Sequence, residues 1–186
     1  MLELEQKACH LAKSYSINTE HHGSDDVGAI DIVFDGVMLN AHEIDNLLGA
    51  GAHKALFEYP PPRKDEPTMP RVRFPHFLPL GLKHKFEKAN VLLHVGMKPE
   101  KLDFFECKIS GLRLTPQEGG LISMRCSIRA RPDSEEVATL FTYRNTDATI
   151  WIRDAEKVDD GASNQGSLGL GEGKDDGGGD DPDASN

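Results

Sequence analysis

Two short runs in the middle of the chain interleave cations with aromatic rings: Arg71-Val72-Arg73-Phe74-Pro75-His76-Phe77 and Lys83-His84-Lys85-Phe86-Glu87-Lys88. Lys and Arg of this kind can track the phosphates of a single nucleic-acid strand while flat rings stack on its bases. A later alternating segment, residues 121–131, adds Arg125 and Arg129 on the face opposite its apolar residues. The candidate nucleic-acid-binding set is therefore Arg71, Arg73, Phe74, His76, Phe77, Lys83, Lys85, Phe86, Lys88, Arg125 and Arg129. Its aromatic members have a second reading. Phe74, Phe77 and Phe86 are also the residue type that fills a core, with the neighbouring Lys and Arg as a solvated face.

Other chemistry is sparse. There is no GxSxG elbow, no phosphate loop and no dinucleotide fingerprint; the glycines between Gly166 and Gly173 have no strand before them and no helix after them. The pairs Asp25-Asp26 and Glu135-Glu136 read as turn and helix-start residues. Cys9, Cys107 and Cys126 are odd in number and widely spaced, which argues against a disulfide framework. Cys107 and Cys126 alternate within apolar patterns and read as small buried hydrophobes. The eight histidines show no HExxH and no Cys/His ligand spacing, so a zinc site would have to be assembled entirely by the fold. The chain is thus read as non-enzymatic, with no catalytic residues, metal ligands or cofactor assigned.

The elements that must carry the candidate residues follow from periodicity. Residues 7–19 and 28–34 read as extended, with the turn residues of HHGSDD between them, and so as an antiparallel pair. Asp35-Gly36 could turn a hairpin, but the residues after it look helical. Asn40 caps a helix with Glu43 at its third position; Ile44, Leu47 and Leu48 share a face and Gly49 ends it. A second helical turn spans residues 53–58. Residues 59–79 hold seven prolines, which exclude helix and interior strand and leave an extended excursion over the surface. Strand character resumes over 82–95.

A long hairpin, 102–115 and 121–131, is the clearest element. Phe105, Cys107 and Ile109 are read on one face of its first strand, and Ile122, Met124, Cys126 and Ile128 on one face of its second. Gly111 breaks the alternation and is a candidate bulge. Asp133 or Ser134 then caps a helix with Val137, Leu140 and Phe141 on one face, and residues 148–152 form a last strand. The fold class expected is a β-rich α+β domain: an antiparallel sandwich or partly open barrel of about six strands with two or three short helices.

The net charge of −10 is unevenly placed. From Asp154 to Asn186 there are ten acidic residues and two lysines, so residues 1–153 are near −2. That acidic, Gly-rich segment has almost no apolar surface to offset the entropy of ordering it, and is expected to be a disordered tail on a single domain of residues 1–153. No apolar run approaches the roughly 20 residues of a membrane span, and the first residues lack a signal-peptide pattern. A soluble protein of the cytoplasm is expected, with no membrane partner.

The words EHHGSDDVGAIDI, CKISGLRLTPQEGGLISMRCSIRARPD and TIWI resemble poorly characterised phage-encoded proteins of DNA replication and recombination modules. The plan of a small β domain with a Gly-rich acidic tail is similar to single-stranded DNA-binding proteins, although their tails finish on an apolar or aromatic tip and this chain ends Pro182-Asp183-Ala184-Ser185-Asn186. These resemblances imply a phage accessory protein of DNA metabolism that binds single-stranded DNA, located in the host cytoplasm, with the tail modulating binding. Two other classes remain open: a protein-binding module, such as a phage inhibitor of a host nuclease or defence complex, and a virion structural component. Another replication, recombination or host-defence protein, or a second copy of the chain, is a further expected partner.

Overall fold

The computed structural model describes residues 2–22, 25–61, 68–77, 79–97 and 100–154. Its elements are β1 (Leu4–Leu11), β2 (Ser16–His22), β3 (Asp25–Leu39), α1 (Ala41–Leu48), α2 (Ala52–Leu56), β4 (Phe57–Glu58), β5 (Arg71–Val72), β6 (Leu80–Gly81), β7 (Phe86–Val95), β8 (Glu100–Pro116), β9 (Ile122–Ala130), α3 (Ser134–Thr142) and β10 (Asp147–Asp154). Six strands form an antiparallel barrel in the order β1-β10-β7-β8-β9-β3. Pairing of β1 with β3 through His10↔Asp35 and Leu11↔Phe34 closes it. The expected β-rich α+β class is the one found, and of the two architectures left open it is the barrel, closed rather than partly open. The acidic segment beyond Asp154 and the centre of the HHGSDD turn lie outside the described residues.

Closure requires strongly bent strands, and the bending is local. At five places three residues on one strand span two on its partner: Leu4/Lys7, Phe34/Val37, Phe86/Ala89, Phe104/Cys107 and Ser110/Arg113. Each contains one residue with positive φ: Gln6 (48°), Gly36 (73°), Lys88 (60°), Glu106 (50°) and Gly111 (63°). These are β-bulges, which twist and curve a strand and shift which side chains face inward. Gly111 is the bulge the alternation indicated. Asp35-Gly36 forms neither a turn nor a helix start; it is a bulge inside a continuous β3. Glu106 corrects the first strand of the hairpin: Phe104 (3% exposed) faces in and Phe105 (66%) faces out, because the extra residue flips the alternation between Phe105 and Cys107. The single extended segment expected over 7–19 is two strands, with Ala12 to Tyr15 turning β1 away to β2.

The barrel is filled by the inward rows of its strands, including Leu11, Ile32, Phe34, Leu93, Ile109, Leu114, Met124, Ile128 and Ile150, all buried. Opposite ends of β8 mark the two mouths. At the β8–β9 turn, α1 contributes Ile44, and Phe57 follows α2, both in the same buried cluster. The cap of α1 is the one expected: the Asn40 side chain accepts from the Glu43 amide at 3.0 Å and Glu43 accepts from the Asn40 amide at 2.8 Å. At the β7–β8 turn, α3 brings buried Leu140, and Tyr15 donates its hydroxyl to the Leu140 carbonyl at 3.2 Å. Asp133 is the cap of α3.

Candidate nucleic-acid interface

Residues 62–67 and 78 of the proline-rich segment lie outside the described residues; residues 71, 73, 74, 75 and 76 are exposed, as the prolines suggested. The stretch is nevertheless tied to the barrel. The Gly119 amide donates to the Pro70 carbonyl at 3.1 Å, Leu80 and Gly81 of β6 pair with Leu114 and Arg113, and the Leu82 amide donates to the Leu112 carbonyl at 2.9 Å. Phe86 then opens β7 opposite Ile109. The chain thus descends one flank of the barrel from the tip of the β8–β9 hairpin to its middle. Its upper part is also held by α2 and β4. The Arg73 amide donates to the Leu56 carbonyl at 2.9 Å, and β5 pairs with β4.

A buried histidine locks this corner. His53 places Nε2 2.7 Å from the Gly120 carbonyl, which can only accept, so Nε2 carries the proton and Nδ1 accepts from the Tyr59 hydroxyl at 3.0 Å. Its ring stacks at 4.7 Å on Phe57. The start of the proline-rich segment, the hairpin tip and α2 are joined through one side chain.

On this frame the candidate residues separate by environment. Arg71, Arg73, His76, Lys83, Lys85 and Lys88 are exposed. Phe74 is 51% exposed and lies on the surface beside Arg73. Phe86 is half-buried, packs against the core and meets the His84 ring edge-on at 4.5 Å. The Phe77 side chain lies outside the described residues. Lys88 sits at the β7 bulge.

Arg125 and Arg129 point outward from β9, as the alternation indicated, but both face carboxylates of β3. Arg129 makes a bidentate pair with Asp31 at 2.7 and 2.9 Å, and Asn18 donates to the same carboxylate at 2.7 Å. Arg125 is 3.7 Å from Asp35. Lys108, opposite Arg129 on β8, pairs with Glu87 at 2.7 Å. That ammonium, hydrogen-bonded to Glu87, holds its carboxyl below the usual carboxylate range.

Arg113 belongs to the flank and escaped the sequence reading. It stands opposite Arg125 in register and next to Gly81, and among the described residues it has no ion pair. Its signal was hidden by the Gly111 bulge, which resets the inward positions to Leu112 and Leu114 and turns Arg113 out. Arg113, Arg125, Thr115, Ser123, Asp35 and Pro79 line a depression of about 210 Å³. The flank as a whole can take an anionic strand: exposed cations run down it, one exposed ring sits at its upper end, and Glu58, Asp35 and Glu87 interrupt it.

Among the described residues no cluster of His, Cys, Asp and Glu is placed to hold a metal ion, and no helix is long and apolar enough to cross a membrane. Comparison with protein-family models, curated proteins and solved structures finds no match to this chain, so the reading of the site rests on its own residues.

Proposed function

We propose that this chain is a phage-type accessory protein of DNA metabolism that binds single-stranded DNA along the β6–β8–β9 flank of its barrel. The observation that carries this reading is the fastening of the basic and aromatic stretch to the β8–β9 hairpin at Pro70, Leu80, Gly81 and Leu82, beside Arg113, with Arg71, Arg73, Lys83 and Lys85 exposed and Phe74 half-exposed. Cations in a row with an exposed ring suit a strand held by its phosphates and one stacked base. The acidic segment acts as a competitor for these cations. The last described residue before it, Asp154, is paired with Ala89, next to Lys88.

The test is fluorescence anisotropy of a labelled oligonucleotide across a salt series, with the full chain and with a chain ending at Arg153. Tighter binding on truncation, and a steep loss with salt, is the expected result. Replacing Arg73 and Lys85 together with Ala should lower the log-log salt slope by about 1.4, at roughly 0.7 per phosphate contact on single strands. An unchanged affinity and slope in that variant would remove the proposed path.

A second reading is supported by a different observation. Met38, Tyr59, Met69 and Leu121 are exposed around the β8–β9 turn, at 37%, 54%, 66% and 40%. An apolar rim of this kind beside arginines suits a protein partner. It is the reading to adopt if neither chain binds oligonucleotide at low salt.

A further inference from the structure

The depression on the outer wall of β8 and β9 has a composition of its own. Along the two strands the outward residues form a two-by-two array, Arg113 opposite Arg125 and Thr115 opposite Ser123. Like charges directly opposite on a sheet are unfavourable unless something neutralises them. Farther along the same two strands, beyond Ser110 and Ser127, another pair of opposed cations shows what compensation looks like, with Lys108 on Glu87 and Arg129 on Asp31. The Arg113–Arg125 row has Asp35 alone, 3.7 Å from Arg125, and among the described residues Arg113 has no carboxylate.

The backbone is shaped at the same spot. The bulges at Gly36 on β3 and Gly111 on β8 both lie opposite residues 124–127 of β9, one from either side. Bulges re-aim side chains, and here they set Asp35 and Arg113 around Arg125. Asp35 is further held by accepting from the Gly36 amide at 2.9 Å. Pro79 walls the remaining side.

We infer that this array is a phosphate-binding cradle. Two guanidinium groups and two hydroxyls supply donors to a tetrahedral oxyanion, and the volume of about 210 Å³ accommodates one phosphate group with several waters. Asp35 gives it polarity: by occupying part of Arg125 it leaves Arg113 as the group whose charge the ligand completes. The assignment deepens the single-strand reading, where the cradle would seat one backbone phosphate. It also stands without that reading, as a site for a terminal or free phosphate.

The experiment titrates the full chain with inorganic phosphate at constant ionic strength in chloride, following backbone amides by two-dimensional NMR. Saturable shifts confined to residues 113–115, 123–125 and 35–36 are expected, and Arg113→Gln should weaken them about tenfold, the loss of one charge-assisted contact. Thr115→Val, which keeps all charges, should weaken them by a smaller factor. Shifts that do not saturate, that chloride reproduces, or that survive Arg113→Gln would overturn the cradle.

Oligonucleotides bearing a 5′-phosphate or a 5′-hydroxyl separate the sources. Equal binding of the two, with a loss in Arg113→Gln, assigns a backbone phosphate; a preference for the 5′-phosphate assigns a terminal one. Saturable phosphate binding with oligonucleotide affinity unaffected by Arg113→Gln would keep the cradle and detach it from the DNA path. Loss of oligonucleotide binding in Arg73→Ala/Lys85→Ala, with no phosphate response at all, would keep the DNA path and reject the cradle.

Discussion

Phe74 and Phe86 belong to the same basic and aromatic stretch and have opposite surroundings. Phe74 is half-exposed, so Phe74→Ala should leave the melting temperature nearly unchanged while costing about 1–3 kcal/mol in oligonucleotide binding, the range for one stacked base. Phe86 packs against the core, and Phe86→Ala should cost about 2 kcal/mol in stability, short of the roughly 3–5 kcal/mol of a fully buried ring. Thermal melting and anisotropy on the two variants check both statements. A stability loss at Phe74 equal to that at Phe86 would show both rings to be structural. Nothing in the local sequence separates these rings, because Phe86 owes its burial to entering β7 opposite Ile109 of β8, a pairing between distant segments. The same holds for the arginines of β9. Asp31 engages Arg129 from a strand far earlier in the chain, a contact no spacing rule within β9 can indicate.

Elements were legible where their rule is local. The capping box at Asn40 and the capped start of α3 were readable because each involves residues three apart. The second hairpin strand was readable because Ile122, Met124, Cys126, Ile128 and Ala130 alternate inward without interruption. β8 was misread at its start because Glu106, an ordinary strand residue by type, adopts positive φ there. Gly111 carries the other β8 bulge and announces itself, since only glycine takes that conformation without strain. Gly111→Val should therefore cost about 1–2 kcal/mol from backbone conformation alone. A Cβ there would meet nothing nearer than Ser127 at 4.0 Å, so crowding is not the cause. Denaturant unfolding measures the loss, and an unchanged midpoint would show that the bulge relaxes. Ile128→Asp is the severe case. It buries an unpaired carboxylate in the barrel and should cost several kcal/mol, leaving little folded protein by circular dichroism.

At the scale of the molecule, the barrel encloses all three cysteines, and burial pushes each thiol up to about 12. At pH 8 the thiolate population in the folded chain is then about one in ten thousand, so iodoacetamide should modify none of them in minutes and all three after denaturation. Below pH 9 the thiols are neutral in both states. Between pH 9 and 12 only the unfolded chain releases these protons, so stability falls as pH rises through that window. Rapid labelling of the native chain at pH 8 would mean that the barrel opens. The sequence by itself determined the β-rich class, the hairpin, the Asn40 cap and the start of α3 to within one residue, the buried character of Cys107 and Cys126 and the charge asymmetry, since each rests on composition or on residues a few positions apart. Only the tertiary structure decided that the barrel closes, that residues 80–82 lie along β8, that Phe74 is exposed and Phe86 is not, and that Arg113 faces Arg125. Closure and facing depend on bulges at residues such as Gln6, Lys88 and Glu106, whose positive φ is imposed by pairing between distant strands and leaves no mark in local residue type.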